Sequence, residues 1–139
     1  MNEALLAAYR ATDYRVRLTN GGWASIRIGK PLPDAIQSFV RQRHWGFITA
    51  WNPRSQQQPR RTNRHSQREL LQAIRAQAEV NAIYPGLGVG GDNRWKEPSF
   101  FVIGPNTEVF DRLGQRFDQN AYVYGQGESP AQLRVLPAP

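Results

Sequence analysis

The sequence predicts an α+β domain built around a ferredoxin-like split βαβ core. From residue 45 to residue 124 the predicted elements run strand, helix, strand, strand, helix, strand, which is the βαββαβ pattern. The strands are short apolar runs with aromatic and β-branched side chains, whereas the helices carry apolar residues three and four positions apart. Because such crossovers are right-handed, we expect both core helices on one face of the sheet.

The N-terminal third adds a helix, a hairpin and a second helix to this core. Residues 3–11 are good helix formers, and residues 14–18 alternate at the period of a strand. Asn20-Gly21 is typical of a tight hairpin turn and leads to a returning strand at 23–28. Apolar spacing then predicts a helix over 34–43. We expect these elements to extend or cover the core.

The core elements, at about 45–124, are joined by polar or glycine-rich segments. A buried strand at 45–50 precedes a long polar, arginine-rich loop at 53–64. Ser66 and Glu69 have the spacing of a capping box, so the next helix is predicted to begin after Ser66. There follow a brief strand at 82–84, a glycine-rich turn region at 85–96, a central strand at 99–103, a helix that Thr107 could cap, a strand at 121–124 and an edge strand at 132–136. Residues 137–139 are expected to be a frayed end.

Composition indicates one globular domain over residues 1–139. Apolar residues make up 40% of the chain and charged residues 21%, which is enough apolar surface for a core. The absence of cysteine excludes disulfides and thiolate metal sites, and it favours a reducing compartment. No signal peptide or membrane-spanning run is recognisable, so we expect a cytoplasmic protein without a membrane partner. The oligomeric state stays open.

The positive charge is concentrated in the middle of the chain. The net charge is +7, and no Asp or Glu occurs between Ala35 and Arg68. Arginine contacts phosphates, and aromatic residues such as Trp45 and Trp51 can stack on unpaired bases. One hypothesis is therefore a nucleic-acid-binding module that uses Arg54, Arg60, Arg61 and Arg64. The alternative is a solvated loop with no partner, since the RNA-recognition motif is not matched.

A second hypothesis concerns polar residues at the predicted ends of strands and helices. Amide, hydroxyl, guanidinium and carboxyl groups at such ends can form a small pocket if the loops converge. The set comprises Asn52, Ser55, Asn63, Arg64, Glu97, Ser99 and Gln119. It favours a binding domain for a small anionic or nucleotide-like ligand. Two alternatives stay open: ordinary turn chemistry, with Glu97 paired to Arg64 or Arg94, and a hydrolase in which Glu97 is the general base.

The remaining motifs argue against a dinucleotide site and a metal site. Gly86 to Gly91 matches Gly-x-Gly-x-x-Gly, but no helix follows, so the segment is a hairpin connection or a flap over a ligand rather than a dinucleotide site. His44 and His65 lack the spacing of metal ligands. We therefore expect no metal site and no cofactor. No catalytic signature is recognisable, which leaves enzymatic activity open.

Several segments together resemble a bacterial family, the domain of unknown function 3293. They are Leu6-Ala-Ala-Tyr-Arg-Ala-Thr-Asp-Tyr, Thr49-Ala-Trp-Asn-Pro-Arg-Ser, Asn63-Arg64, Trp95-Lys-Glu-Pro-Ser and Asp118-Gln-Asn-Ala. The resemblance spans about Leu5 to Tyr124 and implies a bacterial, stand-alone domain, with no particular activity. The loop at 56–61 looks peculiar to this sequence, which favours the polar set over the arginines as the residues to test.

Overall fold

The computed structural model describes residues 1–137, so residues 138 and 139 of the predicted frayed end lie outside the described part. The described residues form four helices and seven strands. In chain order they are α1 (Glu3–Ala11), β1 (Asp13–Arg17), β2 (Trp23–Ile26), α2 (Asp34–Val40), β3 (His44–Ile48), α3 (Arg60–Arg75), β4 (Ala82–Val89), β5 (Lys96–Ile103), α4 (Thr107–Arg116), β6 (Ala121–Gln126) and β7 (Gln132–Val135), with a 3-10 turn at Pro53–Ser55. The α+β class is confirmed, and within residues 1–137 no helix has the length and apolar character needed to cross a bilayer.

All seven strands join one antiparallel sheet in the order β2-β1-β4-β5-β3-β6-β7. The predicted N-terminal hairpin extends the sheet on one side, because β1 pairs with β4. The predicted last strand, β7, forms the opposite edge beside β6. Strands that are neighbours in the sheet are therefore often far apart in sequence.

Apolar cores cover both faces of the sheet. On one face the core helices α3 and α4 contribute Ile74 and Phe110, which belong to the same cluster as Val102 of β5. On the other face α2 packs with Trp45 and Phe101. In β5, for example, Phe101 enters one core and Val102 the other, as the period of two requires. Both core helices share one face, as predicted.

The first core helix begins earlier than predicted. α3 starts at Arg60, with Pro59 as its N-cap, so the predicted loop at 53–64 is too long and Ser66 is not a cap. The inward side of its first two turns carries the buried polar residues Asn63 and Gln67 in line with Leu70 and Ile74. An apolar stripe could not reveal those turns, because hydrogen bonds rather than apolar contacts hold them against the core.

The glycine-rich segment is mostly strand rather than turn. β4 runs to Val89 because it pairs with β1 on one side and β5 on the other. A Cβ atom on Gly86 would lie 2.8 Å from the ring of Phe47, so the glycine allows the ring to cover the strand. Only the turn from Gly90 to Trp95 connects β4 to β5, and it is closed by a hydrogen bond from Gly90 N to Trp95 O at 2.7 Å.

Candidate functional site

A cleft of about 490 Å³ lies beneath the N-terminal helix. Its walls come from α1, from the loop after β3 and from the turn between β4 and β5, and they include Leu5, Ala8, Tyr9, Asn52, Ser55 and Trp95. Glu97, at the start of β5, also lines it. The volume is within the range of small-molecule sites. Three segments that are distant in sequence thus meet at one carboxyl group.

Glu97 is the electrostatically unusual residue of the cleft. Its side chain belongs to a residue only 7% exposed, and burial raises the pKa of the carboxyl group from 4.5 to about 8. Desolvation is the one cause of this shift, and no salt bridge joins Glu97 to another residue in the described part of the chain. The alternative pairing with Arg64 or Arg94 is therefore wrong. At neutral pH the group is mainly a neutral acid, which can both donate and accept a hydrogen bond.

Asn63 holds the loop that carries Asn52. Asn63 is 2% exposed; its Oδ1 accepts from the backbone N–H of Asn52 at 2.9 Å, and its Nδ2 donates to Asn52 Oδ1 at 2.8 Å. Asn52 Oδ1 also accepts from the N–H of Gln58 at 3.0 Å. Asn52 adopts a left-handed backbone (φ 47°, ψ 68°), which asparagine tolerates well. Of this pair only Asn52 lines the cleft, and Asn63 positions it.

Ser55 connects the loop to two other parts of the site. Asn120 Nδ2 donates to Ser55 Oγ at 2.9 Å. Ser55 also lies against the hydroxyl group of Tyr9, whose pKa burial raises to about 12. The helix α1 is itself anchored by the hydroxyl group of Tyr14, which donates to Tyr9 O at 2.6 Å. These contacts fix one wall of the cleft against the sheet.

Ser99 and Gln119 line a much smaller pocket, of about 40 Å³, that shares Tyr9, Asn52, Ser55, Trp95 and Glu97 with the cleft. Both side chains already have protein partners: Ser99 Oγ donates to Glu97 O at 3.1 Å, and Gln119 Nε2 donates to Phe117 O at 3.3 Å and to Trp51 O at 3.4 Å. They therefore shape the floor of the site more than they present free groups to it.

A second, open groove of about 740 Å³ borders the cleft and shares Asn52, Ser55 and Trp95 with it. Its lining is basic and rich in amides, in contrast to the cleft. The groove adds Trp51, Gln58, Arg60, Arg94 and Lys96. Among residues 1–137 no acidic side chain lines this groove, and no arginine or lysine lines the cleft.

The predicted arginines do not act as one group. Arg54 forms a salt bridge with Asp118, with Nη2 and Oδ1 3.4 Å apart. Arg60 lines the open groove. Arg61 and Arg64 are exposed on α3 and line neither cavity. Arg64 is thus separated from the polar set to which the sequence assigned it.

Residues 48–122 match the model of a family described as "Protein of unknown function (DUF3293)". The chain belongs to this family. The matched residues begin at the end of β3 and end in β6, so they include Asn52, Glu97 and Gln119 but not α1. No curated protein and no solved structure matches the chain.

Two residues that line the cleft, Tyr9 and Trp95, and one that supports it, Gln67, are absent from the set predicted from the sequence. Trp95 and Gln67 lie in the family-matched segment, whereas Tyr9 lies outside it. Gln67 is buried and joins the ends of two strands, since its Oε1 accepts from Ala50 N at 2.9 Å and its Nε2 donates to Pro98 O at 3.1 Å. Gln67 lies three residues before Leu70 and seven before Ile74, and this helical spacing indicates that it shares their buried side of α3. Tyr9 and Trp95 belong to two of the segments that carry the family resemblance, but that resemblance does not identify the cleft.

The described residues contain no group of three or more His, Asp or Glu side chains that could hold a metal ion. His65 pairs with Glu69 on α3, and His44 lies at the start of β3. The chemistry of the cleft therefore rests on the carboxyl groups of Glu97 and Asp92, two hydrogen-bonding loop residues and two aromatic rings.

Proposed function

We propose that the protein binds a small nucleotide-like ligand, with an uncharged, hydrogen-bonding ring in the cleft beside Glu97. The observation that carries this proposal is the buried carboxyl group of Glu97, which has no charged partner and lines the cleft. Ionisable groups with strongly shifted pKa values are common in functional sites. A ring with adjacent donor and acceptor atoms would supply the missing partners.

The walls of the cleft support a planar ligand. Trp95 is 40% exposed although it is a large aromatic residue, and Tyr9 lines the cleft with it. Aromatic side chains stack on the faces of bases with little regard to their identity, whereas hydrogen bonds to the ring edge select among them. Because the cleft contains Glu97 and Asp92 but no cation among its described lining residues, the group that enters it is uncharged rather than anionic.

The test is a titration, by calorimetry or by NMR, with the four common nucleosides and their free bases. We expect at least one of them to bind, and to lose roughly tenfold or more in affinity in Glu97→Ala and in Trp95→Ala. Trp95 is exposed, so the second variant tests the site without emptying the core. Glu128→Gln, an exposed glutamate in the turn before β7, is the matched control. Absence of binding by all these compounds, or equal affinity in the variants, would contradict the proposal.

Hydrolysis with Glu97 as general base is a second candidate, favoured by a pKa near the working range of a base. With a pKa of about 8, roughly 90% of the carboxyl groups carry a proton at pH 7. The activity would therefore rise with pH up to about 8 and would be lost in Glu97→Gln. A hydrolytic rate that is unchanged in Glu97→Gln removes this candidate.

Nucleic-acid binding is favoured by a different surface. Arg61, Arg64 and Arg68 are exposed on α3 and spaced three and four residues apart, so they share one side of the helix. This surface would bind oligonucleotides with an affinity that falls steeply with salt and that Arg61→Glu/Arg64→Glu abolishes. Binding that is absent, or insensitive to salt, contradicts it.

We also propose that β4, β5, β3 and β6 form the ferredoxin-like core predicted from the sequence. Two connections support this grouping: α3 joins strands that have β5 between them, and α4 joins strands that have β3 between them. The bacterial cytoplasm stays a prediction, supported by the absence of cysteine.

A further inference from the structure

We infer that the open groove beside the cleft binds the phosphate group of the ligand whose ring enters the cleft, so that the ligand class is a nucleoside monophosphate. This inference rests on the proposed function. The observation that carries it is the contact between two cavities of opposite chemistry: the groove and the cleft share Asn52, Ser55 and Trp95 as a common wall. One molecule with an apolar, hydrogen-bonding end and an anionic end can occupy both.

The charges of the groove match a phosphate. Arg60, Arg94 and Lys96 all line it, and all three are exposed. No salt bridge engages any of them within residues 1–137, so their positive charges are not neutralised by the protein. Arginine binds phosphate oxygens through two parallel hydrogen bonds, and lysine acts on them as a point charge.

The three cations come from two elements that the fold holds beside the cleft. Arg60 is the first residue of α3, whereas Arg94 and Lys96 flank Trp95 at the entrance to β5. Within residues 1–137 Asp92 forms no salt bridge with Arg94; its Oδ1 accepts from the backbone N–H of Arg94 at 3.1 Å. The ring and the phosphate would thus lie on either side of Trp95.

The shape of this region favours a single nucleotide over a strand of nucleic acid. A strand needs a basic groove that follows its backbone over several nucleotides. The groove, however, adjoins a cleft that α1 walls off with Leu5 and Ala8. Arg61 and Arg64 lie outside both cavities and do not prolong the groove.

The experiment compares each of the four nucleosides with its 5′-monophosphate by calorimetry, at low and at moderate salt. We expect the monophosphate to bind roughly tenfold more tightly than the matching nucleoside at low salt, with a smaller advantage at moderate salt. In Arg60→Gln/Arg94→Gln this advantage disappears while the affinity for the nucleoside is unchanged. Lys96→Gln reduces it in part. Arg75→Gln/Arg112→Gln, which removes the same charge from exposed helix positions away from both cavities, keeps it.

The outcomes separate this inference from the proposed function. If nucleosides bind but the phosphate adds no affinity, or if the advantage survives in Arg60→Gln/Arg94→Gln, the inference is overturned and the cleft proposal stands. If neither nucleosides nor monophosphates bind, the proposed function fails and the inference with it. If a short single-stranded oligonucleotide binds much more tightly than any monophosphate, and Arg60→Gln/Arg94→Gln abolishes that binding, the groove serves nucleic acid and the inference is overturned. Circular dichroism of each variant verifies that it is folded.

Discussion

Asn52 and Asn63 hold each other through two reciprocal hydrogen bonds, one from a backbone N–H at 2.9 Å and one from a side-chain amide at 2.8 Å. Asn63 is buried in the second turn of α3, and Asn52 is a residue of the loop after β3. The pair therefore fixes the position of this wall of the cleft relative to α3.

Replacing Asn63 by alanine should destabilise both the fold and the site. The substitution leaves the Asn52 N–H without its partner and removes a donor to Asn52 Oδ1, which we expect to cost roughly 2–3 kcal/mol of unfolding free energy. Urea denaturation measures this loss. Thr62→Ala, at the exposed preceding position, is the matched control and should change the unfolding free energy by less than about 0.5 kcal/mol. Equal stability of the two variants would contradict a structural role for the asparagine pair.

The buried polar residues Asn63 and Gln67 explain why the apolar stripe alone does not predict the start of α3. Asn63 and Gln67 occupy the buried side of the helix where apolar residues would normally continue the stripe of Leu70 and Ile74. Their polar character suggested a loop, and Ser66 suggested a cap. Only the tertiary partners of these two amides, in the loop after β3 and at Pro98, make a polar helix side stable.

The burial of Glu97, in contrast, had a local signal. β5 alternates, so Glu97 and Ser99 share a face with Phe101, a residue of the core. That pattern predicts an inward-facing carboxyl group, and the polar set already contained it. The same alternation places Trp95 on the side of Glu97. The sequence could not reveal that Tyr9 lines the cleft with them, because α1 is brought there by the pairing of β1 with β4.

The pH dependence of stability should report the burial of Glu97. Its folded pKa of about 8 is above the ordinary 4.5, so between these values the folded state retains a proton that the unfolded state releases. Stability contributed by the neutral carboxyl is thus complete below about pH 4.5 and falls as the pH rises towards 8. Relative to Glu97→Gln, the wild-type protein should lose roughly 3–5 kcal/mol across this range, at 1.36 kcal/mol per pKa unit.

Urea denaturation of wild type and Glu97→Gln at pH 5, 6, 7 and 8 measures the difference in unfolding free energy between the two proteins at each pH. Steps of roughly one pH unit are fine enough to follow the titration of one group. The two proteins should be close in stability at the acid end and diverge at the alkaline end, with the glutamine variant the more stable. Glu128→Gln, at an exposed position, should run parallel to wild type. Parallel curves for Glu97→Gln as well would show that the carboxyl group is not desolvated in solution.

Gly86 and Gly88, two residues apart on the same face of β4, should respond differently to alanine. A Cβ atom on Gly86 would lie 2.8 Å from the Phe47 ring, whereas the nearest atoms to a Cβ atom on Gly88 are 3.8 Å away. We expect Gly86→Ala to cost about 1–3 kcal/mol through overpacking, and Gly88→Ala to change stability by less than about 1 kcal/mol. Thermal denaturation distinguishes them. Similar losses in the two variants would contradict the packing of Phe47 over the strand.

Asp111 should stabilise the edge of the sheet far from the cleft. Its carboxylate accepts from Arg134 Nη2 at 2.7 Å and Nε at 2.9 Å, and from the hydroxyl group of Tyr122 at 2.7 Å. The hydrogen-bonded Arg134 guanidinium lowers the pKa of the Asp111 carboxyl below its ordinary value of 3.8. Because the carboxylate links α4 to β6 and β7 but is partly exposed, we expect Asp111→Asn to cost about 1–2 kcal/mol at neutral pH.

The pH profile and a double-mutant cycle test the Asp111 contact. The stabilisation is complete above the unfolded pKa of about 3.8 and is lost as the pH falls through the lower folded pKa, so wild type and Asp111→Asn should converge in strong acid. In an Arg134→Gln background, Asp111→Asn should cost less, because the two-point contact is already broken. An equal loss of unfolding free energy in both backgrounds would mean that Asp111 acts through Tyr122 alone. The edge strand β7 would then be held by its pairing with β6 rather than by this ion pair.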